Sequence, residues 1–163
     1  MSLPRTAALL PLLALLGCSA YGIATSEAAP VSPFSSAGDL AKVCVIRSGF
    51  PAPLYTTVVH DDGVLVGATK DDTYFCYLAE PGKHVITSDG TFGVRTADLV
   101  AQAGGRYYLK QSWLVPAVRG HAVSWVDEAS AQADVHDSEY ARLTEVPGNE
   151  ALPGGTALAP ALR

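Results

Sequence analysis

The chain has 163 residues, 48% of them hydrophobic, and a formal net charge of −5. That is enough apolar material for one domain with its own core. An acidic chain without a basic stripe argues against nucleic acid as a partner and against polybasic attachment to anionic lipid, because both need clustered Lys and Arg.

Residues 1–17 read as a secretory signal. Arg5 is the positive start, and Ala7–Leu16 is an apolar run broken only by Pro11. As a helix the run would rise about 15 Å, too short for a hydrocarbon core of about 30 Å. It ends Leu15-Leu16-Gly17-Cys18. This resembles the bacterial lipobox, which implies cleavage between Gly17 and Cys18, a diacylglyceryl thioether on Cys18, and a palmitate-type acyl chain on the new amino group. Two or three acyl chains hold a protein on a membrane effectively permanently. Ser19, rather than Asp, follows the lipidated cysteine and resembles the default route to the outer membrane, facing the periplasm. Residues 18–38 are rich in Ser, Ala, Pro and Gly and predict a flexible lipidated tether, with a reach of roughly 25 Å.

Residues 39–146 carry the folded domain. Ala41–Arg47 is short and β-branched, as a strand is. Ser48–Pro53 turns the chain, and Leu54–His60 forms the next strand. Asp61-Asp62-Gly63 is hairpin chemistry, since Asp-Gly tolerates φ > 0, and Val64–Ala68 pairs back. Asp72–Ser88 then reads as a central hairpin: an aromatic strand over Tyr74–Leu78, a turn at Pro81 and Gly82, and a β-branched return over His84–Thr87. Thr91–Leu99 alternates, Gly104-Gly105 turns, and Arg106–Trp113 and His121–Val126 complete the long strands. Asp127–Val135 is Ala-rich with an acidic start, which predicts one short helix. Tyr140–Val146 predicts an edge strand, and residues 147–163 a disordered C-terminal tail. The fold class is therefore all-β: a small β-sandwich of about seven or eight mostly antiparallel strands with one short helix near 127–135.

The order of these pieces carries a resemblance. AKVCVIR, the Asp61-Asp62-Gly63 hairpin leading to Val66-Gly67, the aromatic strand, Pro-Gly-Lys-His, Ala-Gly-Gly-Arg-Tyr-Tyr and a closing Val-Asp-Glu-Ala together resemble the domain-of-unknown-function family numbered 2846, found in bacterial lipoproteins. The likeness spans about residues 39–146. It implies a small β-sandwich and supplies no catalytic residue. The Pro-Gly-Lys-His turn is also similar to turns of surface β-sandwich repeats containing Pro-Glu-Gly-Ala.

Three cysteines occur. With Cys18 acylated, Cys44 and Cys76 form an even pair in an exported domain, where disulfides persist. Cys44 shares a strand face with Ile46, and Cys76 with Leu78, so both can point inward. A bridge is expected to contribute roughly 3–4 kcal/mol, and two buried free thiols are the alternative. The four histidines, His60, His84, His121 and His136, show no metal-ligand spacing. The acidic pairs Asp61-Asp62 and Asp71-Asp72 read as solvated hairpin tips. No Gly-x-Ser-x-Gly setting and no phosphate loop is present. The chain therefore reads as a non-enzyme without a cofactor or bound metal. Adjacent aromatics on a strand point to opposite faces, so Tyr74, Tyr77, Tyr107, Tyr108 and Trp113 are candidates for an exposed partner patch. The expected function is a lipid-anchored envelope lipoprotein displaying a binding or structural module for another envelope protein or cell-wall component. The competing reading is a carrier of a small apolar ligand, with a pocket between the sheets.

Overall fold

The computed structural model describes residues 21–48, 55–90, 93–113 and 121–148. The signal segment, Gly17 and Cys18, the turn at 49–53, and residues 149–163 of the expected tail lie outside the described residues. The described residues form ten strands and one helix: β1 (Gly22–Ser26), β2 (Ala41–Arg47), β3 (Thr57–Asp61), β4 (Val64–Thr69), β5 (Thr73–Ala79), β6 (Gly82–Gly90), β7 (Gly93–Ala101), β8 (Arg106–Trp113), β9 (His121–Val126), α1 (Glu128–His136) and β10 (Glu139–Glu145).

The strands build two sheets. One has six strands in the order β1-β10-β5-β2-β8-β9, and the other has four in the order β4-β3-β6-β7. The expected all-β sandwich is the architecture found, with ten strands instead of seven or eight. Pairing is antiparallel except for β2 with β8 and β10 with β5. The core between the sheets includes Val43, Val45, Val59, Phe75, Tyr77, Ile86 and Leu109.

The Asp61–Gly63 hairpin joins β3 and β4 as expected. Asp62 and Gly63 both take positive φ, 48° and 81°, the requirement of a tight type I′-like turn. The expected hairpin over Asp72–Ser88 is not formed. β5 pairs with β2 and β10, whereas β6 pairs with β3 and β7 in the other sheet. Pro81 and Gly82 therefore turn the chain from one sheet to the other. The physical reason lies in burial: six of the seven residues of β5 are buried, which suits a central strand with a neighbour on each side.

Every residue of β2 is buried, because both faces are covered. Val43, Val45 and Arg47 face the four-stranded sheet. Lys42, Cys44 and Ile46 face a second layer made of α1 and the segment before β2. The helix is capped by Asp127, whose Oδ1 accepts a bond from the Ser130 amide at 2.8 Å, and its Ala131 is fully buried. Lys42 is 1% exposed. Its ammonium donates to the Ser32 and Ser35 carbonyls at 2.9 and 2.8 Å and to the Ser35 hydroxyl at 2.7 Å. Pro33 lies over Cys44, and Phe34 packs on Tyr108 with ring centroids 5.7 Å apart.

The expected tether therefore needs correction. Gly22–Ser26 is a strand paired with β10, and residues 32–35 are packed on the domain. Tyr21 and Ile23 join Leu143 and Val146 against Val58, Leu65 and Ala68, on the face of β3 and β4 that points away from the main core. Isolated in sequence, these apolar residues gain their packing partners from the C-terminal strand. For the same reason β10 is not an edge strand: it lies between β1 and β5.

Cys44 and Cys76 are bonded, with S–S 2.08 Å and Cα–Cα 4.0 Å. They stand directly opposite each other in the β2–β5 register. The bridge thus joins neighbours within one sheet and points into the second layer, not across the gap between sheets. Replacing both cysteines by Ala is expected to leave the fold intact and lower stability by roughly 2–4 kcal/mol. Chemical denaturation of the oxidised protein and the double variant measures this, and equal midpoints would show that the bridge adds nothing.

Two glycines separate crowding from backbone conformation. A Cβ on Gly67 would lie 2.5 Å from the Phe75 ring, so Gly67→Ala is expected to cost about 1–3 kcal/mol by overpacking. Gly82 has φ +155° and open space around it, so Gly82→Ala is expected to cost about 1 kcal/mol through backbone strain alone. Denaturation midpoints in the order wild type, Gly82→Ala, Gly67→Ala check the distinction.

Candidate functional site

The six-stranded sheet ends at β9 and the four-stranded sheet ends at β7, and these two edges meet along one seam of the sandwich. The Trp125 indole reaches from β9 and donates to the Asp98 carbonyl of β7 at 3.0 Å. The Arg95 Nε donates in the opposite direction, to the His121 carbonyl at 2.9 Å. Beside this closure lies an open groove of about 280 Å³, lined by Val100, Arg106, Tyr107 and Trp125, among others. The rings of Tyr107 and Trp125 meet edge to face, 6.3 Å apart at 73°. Val100 is 65% exposed and Trp125 37%.

The groove is built on fixed side chains. The Tyr107 hydroxyl accepts from the Gln102 amide at 3.0 Å and donates to the Val100 carbonyl at 3.3 Å, across the β7–β8 turn. Arg106 pairs with Glu128 at 2.9 Å, and the Tyr108 hydroxyl donates to the same carboxylate at 3.3 Å. Burial and the Glu128 charge push the Tyr108 phenol up to about 12, so it stays a donor at neutral pH. The groove thus presents two aromatic edges and an exposed aliphatic side chain beside an ion pair.

Of the five residues expected to form a partner patch, Tyr107 and Tyr108 line this groove. Tyr74, Tyr77 and Tyr108 are buried; each faces a covering layer, because both faces of the six-stranded sheet are packed. The Trp113 side chain lies outside the described residues. Trp125 is absent from the expected patch. Its alternation with Val123 marks a strand face, but only strand order shows that its strand is an edge.

Between the sheets, polar side chains gather at two places. One surrounds Gln111, which accepts from Thr69 at 2.5 Å and donates to the Ser88 hydroxyl at 2.8 Å. The Ser88 hydroxyl lies 3.2 Å from His121 Nε2. Arg47 donates to the Tyr55 carbonyl at 2.7 Å and to the Thr57 hydroxyl at 3.0 Å. The cavity here is about 10 Å³, space for one water. Ser88 is fully buried, so its contact with His121 is a core hydrogen bond.

The other place is the Asp61 end. His84 Nδ1 lies 3.0 Å from Asp61 Oδ1 and 3.5 Å from Asp62 Oδ2, while Nε2 meets the Glu80 carbonyl at 2.8 Å. Burial alone would lower the His84 pKa, but the Glu80 carbonyl and the two carboxylates outweigh it and raise the value. Asp61 is raised, chiefly by burial. The sequence reads Asp61 as a solvated tip and His84 as the start of the return strand, without metal-ligand spacing; their exposures are 0% and 8%. Asp61 shares the face of Val59 by alternation along β3, and its pairing with Ile86 puts His84, two residues away on β6, on the same inward face.

Comparison of the chain with protein-family models, curated proteins and solved structures finds no match.

His121 has its pKa lowered, first by burial and then by Arg95 and Arg47, against opposing effects of the Ser88 carbonyl and Asp89. Its neutral form is favoured in the fold. That contribution to stability is therefore full above the unfolded pKa of about 6.5 and is lost as pH falls from there through the folded pKa. His121→Asn removes it, so the stability gap between wild type and variant is expected to be larger at pH 7.5 than at pH 5. Urea denaturation at the two pH values measures the gap, and a gap that widens in acid would contradict the assignment.

Proposed function

We propose that the chain is a bacterial envelope lipoprotein, anchored through lipid on Cys18, whose sandwich docks another envelope protein at the Tyr107–Trp125 groove. The resemblance to family 2846 lipoproteins belongs to the same reading. The observation that carries it is the groove itself: two aromatic rings and Val100 are held open at a sheet seam, where a monomer gains nothing from exposing them. Tyr and Trp combine large contact area with little conformational entropy to lose, which is why they dominate binding hot spots. An apolar side chain of the partner would fill the groove, with Arg106 and Asp98 offering polar contacts at its rim. The fixed hydroxyl and indole bonds preorganise the seat and lower the ordering cost of binding.

The anchor follows from Leu15-Leu16-Gly17-Cys18, and β1 begins only four residues after Cys18. The domain would therefore sit close against the membrane, a short leash in place of a long one.

The test uses the full-length protein in its native envelope, with a photoreactive residue at position 100. A discrete adduct with an envelope protein is expected, and Trp125→Ala is expected to reduce it at least about tenfold, a hot-spot-sized loss. Cys18→Ser is expected to move the protein to the soluble fraction. No adduct, or one indifferent to Trp125→Ala, would overturn the docking assignment. A membrane-bound Cys18→Ser protein would overturn the anchor.

A further inference from the structure

His84 is surrounded by acceptors on both sides of its ring. Nε2 faces the Glu80 carbonyl, which only accepts, so Nε2 carries a proton. Nδ1 faces Asp61 Oδ1 and Asp62 Oδ2, which as carboxylate oxygens also only accept. With both carboxyls ionised, Nδ1 therefore holds either a second proton or a cation. The first choice leaves a defect. Asp61 Oδ2 is buried without a well-formed hydrogen bond. The fully buried Tyr77 hydroxyl lies beside that carboxylate, yet it too lacks a properly directed bond. A carboxylate oxygen whose buried neighbour is one poorly directed hydroxyl is under-satisfied, which is costly inside a core.

We infer that Asp61, Asp62 and His84 form a binding site for a divalent transition-metal ion of the Zn²⁺ class. Donors about 2.1 Å from such an ion, spaced at about 90–110°, stand roughly 3.0–3.5 Å apart, the two separations measured from Nδ1. All three donor atoms lie within 4.8 Å of one another. One imidazole with two carboxylates favours zinc or a neighbouring first-row ion over calcium, which takes six to eight oxygens.

The surroundings hold each ligand in a metal-binding orientation. The Nε2–H bond to Glu80 fixes the tautomer whose free lone pair is on Nδ1, the usual support of a ligating histidine. Asp62 Oδ1 accepts from the Val85 amide at 2.9 Å, which turns Oδ2 toward His84. The positive φ of Asp62 at the hairpin tip places that residue at the surface, 54% exposed. The ion would enter there and keep a water in its open position. Any proton on Nδ1 leaves to solvent as the metal bonds, and Asp61 Oδ2 gains a counter-charge. This site is separate from the Tyr107–Trp125 groove and does not depend on the proposed anchor.

The experiment is calorimetric titration of Zn²⁺ into the chelator-treated full-length chain at pH 7.5, with ¹⁵N detection of histidine side chains. One ion per chain is expected, with a shift of the His84 Nδ1 resonance and a retained Nε2–H. His84→Gln and Asp62→Asn are each expected to weaken binding at least about tenfold. Asp62→Asn lies at an exposed turn and keeps an oxygen for the Val85 amide, so it tests the site even if His84→Gln fails to fold. His136→Gln, which alters the exposed His136–Asp137 pair, is expected to change nothing. Absence of saturable binding, an unshifted His84 Nδ1, binding unaffected by Asp62→Asn, or binding lost in His136→Gln would each overturn the site.

Discussion

The structure depends on sealing both faces of β2. A strand buried on each side needs two covering layers, and a sandwich supplies only one. The second comes from α1 and from residues ahead of β2, and Lys42 joins them. Its ammonium sits in the interior, where backbone carbonyls and one hydroxyl satisfy it in place of a carboxylate. Burial, and then the charge of Arg106, lower its pKa. Such a group is tolerated only where its hydrogen bonds are complete. The segment at Ser32–Ser35 is therefore part of the domain, because without it a charge and the outer face of the Cys44–Cys76 bridge would be left uncovered.

Most elements are legible in the sequence, since strand patterning and turn chemistry are local. The Asp62-Gly63 hairpin, the Asp127-capped helix and the ends of β2 and β8 follow from such signals. Partner choice is not local. Nothing within Glu80-Pro81-Gly82 distinguishes a hairpin turn from a crossing between sheets, and the difference arises from which strands compete for β5. β1 is illegible for a related reason. Gly22–Ser26 has weak strand propensity, and its pairing with β10 closes over more than one hundred residues, where tertiary context decides.

The candidate site shows the same division. Alternation places Tyr107 and Trp125 on strand faces but does not say which faces stay open. The exposure of the groove follows from β7 and β9 both being edges, a property of sheet order alone. At the other end of the core, motif spacing finds only ligands close in sequence, whereas His84 and Asp61 are 23 residues apart and meet through the β3–β6 register. That register is unbroken and pairs Asp61 with Ile86, two residues from His84 on the same face. Sites assembled across a register leave no spacing signature, although each residue type is visible.

Sheet order also relates the groove to the proposed anchor. β1 and β9 are the two edges of the six-stranded sheet, and five inter-strand steps of about 4.8 Å separate them by roughly 24 Å. Four residues beyond Cys18 span at most about 14 Å even when fully extended. An anchor at Cys18 would thus hold the β1 edge toward the lipid and present the β7–β9 seam on the far side of the domain. A long tether would let the groove sample every orientation; a short one restricts the orientations available to an anchored partner. The early strand therefore changes how the proposed module works: it aims the aromatic groove away from the attachment edge, where an envelope partner can reach it without competing with the membrane surface.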